Sequence, residues 1–80
     1  MVSKVMDFRG VDCPEPLIKV SRAIAKLSPG DTLMVLIDIP RCVEAIKDTI
    51  EGFDIGTIEV NKKEEYYELV VTVKVNVPIV

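Results

Sequence analysis

The chain has no histidine and no tryptophan. Without an imidazole, histidine-based acid–base catalysis and the serine–histidine triad are excluded. Cysteine is scarce: Cys13 and Cys42 are the only two, too few to build a tetrahedral structural zinc site from soft ligands within one chain. No apolar run approaches the roughly 20 residues that a bilayer crossing needs, and no glycine-rich phosphate loop occurs. Met1 to Asp7 lack the basic start, apolar stretch and small-residue cleavage site of a secretory signal. The expectation is therefore a cytoplasmic protein whose cysteines are thiols. Positive charge is also in short supply, and a net charge of −3 disfavours direct binding of nucleic acid, whose affinity comes largely from Lys and Arg neutralising phosphates.

What is present is globular. Hydrophobic residues make up 49% and charged residues 29% of 80 residues, enough for one domain over residues 1–80 and too little for two. Val2 to Phe8 reads as a strand with Lys4, Met6 and Phe8 on one side. From Pro16, the apolar residues Leu17, Val20, Ile24 and Leu27 step by three, four and three, the spacing of one helical face. Ser28-Pro29-Gly30-Asp31 stops that helix and turns the chain. Leu33 to Ile37 is a short apolar run bounded by turn residues, the pattern of a central strand. Pro40 starts a second helix in which Val43, Ile46, Ile50 and Phe53 repeat the same spacing, with Gly52 and Gly56 bracketing its end.

Thr57 to Lys62 and Tyr66 to Val75 form two strands around the Lys63-Glu64-Glu65 turn, most simply an antiparallel hairpin. In the last strand Tyr67, Leu69, Val71, Val73 and Val75 share a face opposite Glu68, Thr72 and Lys74. The order β-α-β-α-β-β predicts an α/β two-layer sandwich, with two helices packed on one face of a four-stranded mixed sheet.

The chemistry concentrates at Cys13. It precedes Pro14 and Pro16, and proline is tolerated where a helix begins because the first amides have no intrahelical partner. Cys13 therefore sits at or just before a first turn. Each proline also pushes its predecessor, Cys13 or Glu15, toward extended backbone. The positive end of the helix dipole favours a thiolate or persulfide there. Asp12 and Glu15 oppose it, and Arg9 and Lys19 are the cations available to compensate. The prolines also remove amides that a phosphate site would use. An inert, buried Cys13 is the competing reading. The double-proline helix start outweighs it.

The run Gly10-Val11-Asp12-Cys13-Pro14-Glu15-Pro16-Leu17, then Leu27 to Leu33 with its Pro-Gly-Asp turn, then Asp38 and Pro40, resembles the TusA/SirA-like family of sulfur-carrier proteins. The likeness extends from about Asp7 to Val75. It implies that Cys13 is catalytic, taking sulfane sulfur from a donor protein and passing it to an acceptor protein, with Pro14, Glu15 and Pro16 as the motif scaffold and no cofactor. In the family the donor can be a cysteine desulfurase or rhodanese, and the sulfur can go to tRNA thiolation, molybdenum-cofactor assembly or sulfur oxidation. Where sulfur-relay members often carry Arg-Asp-Ile after the Asp…Pro pair, this chain has Glu44-Ala45-Ile46; if that Arg-Asp pair engages a particular partner, the partner here differs.

Three other groups need a reading. Cys42, in the first turn of the second helix, is either a resolving thiol for Cys13 or a partly buried residue without chemistry, and the second is favoured. Lys19, Arg22 and Lys26 form a basic stripe that, with Arg9, either docks an acidic partner or is simply solvated. Glu59, Glu64, Glu65 and Glu68 read as a solvated surface around the hairpin. The alternatives to a persulfide or thiosulfonate carrier are a noncatalytic interaction module and a Cys13/Cys42 redox protein, the latter requiring Cα atoms within about 7 Å.

Overall fold

The computed structural model describes residues 2–74. Its elements are β1 (Lys4–Asp7), α1 (Glu15–Ala25), β2 (Thr32–Ile37), α2 (Pro40–Gly52), β3 (Gly56–Lys62) and β4 (Tyr67–Val73). They form a four-stranded sheet of order β1-β2-β4-β3. β1 and β2 are parallel, joined by α1 as crossover, while β4 runs antiparallel to both β2 and β3. The expected β-α-β-α-β-β order, mixed sheet and hairpin are all present.

One sheet face carries both helices. Leu33, Val35 and Ile37 of β2 alternate with Leu69, Val71 and Val73 of β4 to form that face, all buried. Val20, Ala23 and Ile24 of α1 and Val43, Ile46 and Ile50 of α2 press onto it. Fully burying side chains of this kind contributes about 1.5–3 kcal/mol each, so the apolar spacing of both helices fixes which side turns inward. Val75, expected to continue the β4 face, lies outside the described residues.

Three expectations are corrected. Glu15, expected to be extended, is the first helical residue, because Pro16 at the second position lacks only an amide that needs no partner, and the Ile18 amide still donates to the Pro14 carbonyl at 3.0 Å. Phe53 does not extend the α2 stripe: the helix ends at Gly52, Asp54 turns the chain with φ of 52°, and Phe53 is left 76% exposed. Cys42, expected to be partly buried, has no exposed surface. Gly56 opens β3 in a space where a Cβ would collide with the Thr72 carbonyl, so β3 can pair this closely with β4 only through glycine.

Candidate functional site

Because β1 and β2 are parallel, they end on the same sheet edge, with Asp7 opposite Leu36 and the Phe8 amide donating to the Leu36 carbonyl at 2.7 Å. The loops leaving those ends lead straight into α1 and α2, so both helix starts face one another. The two loops brace each other. The Gly10 amide, on a residue whose φ of 82° suits glycine, donates to both carboxylate oxygens of Asp38 at 3.0 Å. In return, Arg41 of α2 donates through Nε to Asp12 Oδ1 at 3.3 Å and pairs through Nη2 with Asp12 Oδ2.

Cys13 lies at the centre of this crevice, one residue before the Pro14 cap of α1, half-buried against the core. Neither helix has a side-chain cap, and the positive end of each helix dipole favours an anion at its start. The sulfurs of Cys13 and Cys42 are bonded, with Cα atoms 5.6 Å apart, inside the span of about 4.4–6.8 Å that a disulfide bridges. This overturns the expectation of two thiols and puts Cys42 within bonding reach of Cys13. The physical reason is the shared sheet edge, which brings the third residue of α2 against the residue before the α1 cap. The Cys13 amide lies 2.7 Å from both Asp12 Oδ1 and Cys42 Sγ, and Asp12 Oδ1 is 3.5 Å from that sulfur.

The charges are arranged differently from expectation. Arg9 does not compensate Asp12. It donates through Nη2 to Asp7 at 2.8 Å and lies 5.2 Å above the Tyr66 ring. Lys19, by contrast, does offset one of the two acids, pairing with Glu15 at 3.2 Å. Arg41, which carries no motif signal of its own, is the cation at the site. Its hydrogen bond holds the Asp12 carboxyl below the ordinary range, with a smaller push from the Cys13 amide. The side-chain and then the backbone hydrogen bonds of Arg9 lower Asp7 from 3.8 to about 2.

Of the other candidates, Pro14 and Glu15 are exposed and Pro16 is buried beneath them. Arg22 and Lys26 are exposed on α1 and make no ion pair among the described residues. An open depression of 630 Å³ between Asp7, Arg9, Asp38 and the Glu64–Tyr66 turn contains neither cysteine.

This two-layer α/β sandwich is the SirA-like fold. The solved structure of a SirA-like protein from Desulfitobacterium hafniense superposes with a TM-score of 0.79 at 25% identity, covering 89% of this chain and 97% of that one. The family model described as "Sulfurtransferase TusA" matches residues 4–73, and the chain belongs to this family. Among relatives, a Thermotoga maritima protein named "Putative sulfur carrier protein" is 34% identical over 61 residues, 76% of this chain and 77% of that protein. The "Sulfur carrier protein TusA" of Buchnera aphidicola is 27% identical over 66 residues, 82% and 84% of the two chains.

Proposed function

We propose that this protein is a cytoplasmic sulfur carrier that holds sulfane sulfur on Cys13 as a persulfide. The observation that carries the reading is the half-buried Cys13 at a proline-bounded helix start that no side chain caps. In the reduced protein the Cys13 thiolate attacks the outer sulfur of a donor persulfide, and the donor thiolate leaves. An acceptor thiolate then attacks the outer sulfur of the Cys13 persulfide, and Cys13 leaves as thiolate. Family membership and the sulfur-carrier names of its relatives support this reading. Arg22 and Lys26, exposed along the helix that presents the thiol, supply a positive approach for an acidic donor or acceptor protein.

The test is intact mass before and after reduced protein meets inorganic polysulfide, with Cys13→Ser in parallel. Wild type should gain a reductant-labile sulfur adduct that Cys13→Ser lacks. An adduct that survives Cys13→Ser, or none from any sulfane donor, overturns the reading in favour of a noncatalytic interaction module.

A further inference from the structure

Cys42 has no task in the transfer described above. It has no exposed surface, so an external disulfide or thiol cannot reach it. Its sulfur is nevertheless bonded to Cys13, and Cys13 is therefore the reactant within its reach. Cys42 is the third residue of α2, where the helix dipole favours a thiolate, and the Cys13 amide is aimed at its sulfur from 2.7 Å.

We propose that Cys42 is a resolving thiol that discharges the Cys13 persulfide as sulfide. The inference rests on the carrier reading and adds a second fate for the same sulfur. The Cys42 thiolate attacks Cys13 Sγ, the Cys13–Cys42 bond forms, and the bond from Cys13 Sγ to the outer sulfur breaks. The electron pair leaves with the outer sulfur as hydrosulfide, and the Cys42 proton passes to water. The sulfane sulfur gains two electrons and each cysteine sulfur gives one, so no outside oxidant is consumed.

The two fates differ in which sulfur is attacked. A docked acceptor attacks the outer sulfur on the half-buried Cys13. Cys42, beneath it, reaches the inner one. A loaded carrier that meets no acceptor thus loses its cargo and closes into a form that cannot be recharged. Resetting it takes two electrons from a dithiol reductant. Because Cys42 is buried, the reductant must form its mixed disulfide on Cys13.

Reduced wild type, Cys42→Ser and Cys42→Ala, each loaded with inorganic polysulfide and freed of excess, are followed by intact mass and a sulfide electrode without added thiol. Wild type should pass from one sulfur mass above the reduced protein to two hydrogen masses below it, releasing one equivalent of sulfide per chain. Both variants should hold the adduct at least about tenfold longer. Wild type that holds its adduct as long as both variants, or that closes its disulfide without sulfide, overturns the discharge and leaves the carrier reading intact. Failure of all three to take an adduct overturns both.

Discussion

The two helix starts are built from the same local pattern and put to opposite use. Asp12-Cys13-Pro14 leads into α1, and Asp38-Ile39-Pro40 into α2. Both lack a side-chain cap and both carry proline in the first turn. At α1, however, Cys13 is half-buried and Pro14 and Glu15 are exposed, whereas at α2 Cys42 and Val43 are buried and only Pro40 and Arg41 face solvent. Local sequence makes a rigid, anion-favouring helix start in each case. Packing decides whether a cysteine there is reachable from outside or only from within. On the proposed carrier reading, the open start supplies a thiol for partners and the closed start a thiol for its neighbour.

The largest break in this comparison should come from the core beneath the closed start. Ile46 of α2 has no exposed surface, while Ile18 of α1 is 47% exposed. Ile46→Ala should cost about 2–5 kcal/mol of unfolding free energy. The same change at Ile18 should stay within about 0.5 kcal/mol apart from helix propensity. Denaturant unfolding of the two variants measures both, and equal losses would mean that the open start is packed as firmly as the closed one.

The brace between the loops comes next. Asp38→Ala removes the acceptor of the Gly10 amide and should cost about 1–2 kcal/mol, the range of a hydrogen bond to a charged group that is only partly buried. The readout is a lower denaturation midpoint at unchanged slope. An unchanged midpoint would show that the Cys13 loop holds its place without Asp38.

The element order was legible because each buried stripe follows the period of its own element: 3.6 for Val20 and Ile24 or for Ile46 and Ile50, and 2 for Leu69, Val71 and Val73. Cys13 at a helix start was legible because proline position is a local signal. Phe53 misled because it keeps the helical spacing although the helix has stopped at Gly52. Spacing does not register a chain reversal such as the one at Asp54. The Cys13–Cys42 bond, the Asp12–Arg41 pair and the Gly10–Asp38 bond link residues 28 or 29 positions apart. They depend on where two helix starts land on one sheet edge. Parallel pairing of β1 and β2 puts the starts together, but the angle and depth of α2 that bury Cys42 are properties of the assembled core.

The smallest effect tests the charge between the two starts. Asp12 opposes thiolate formation at Cys42, 3.5 Å away, and Arg41 offsets it. Both charges are solvent-facing, so removing either should change reactivity more than stability. Asp12→Asn leaves Arg41 unopposed and favours the thiolate, so reduced protein should close its disulfide with oxidised glutathione roughly threefold faster than wild type at neutral pH. Arg41→Ala leaves the carboxylate unopposed and should slow closure by a similar factor. Quenching with an alkylating agent at intervals and reading the mass gives both rates. Opposite signs would establish that the pair tunes the cysteines through its charge. Slowing by both variants would instead mean that the pair acts by positioning the two loops, and the difference between the helix starts would then be one of packing alone.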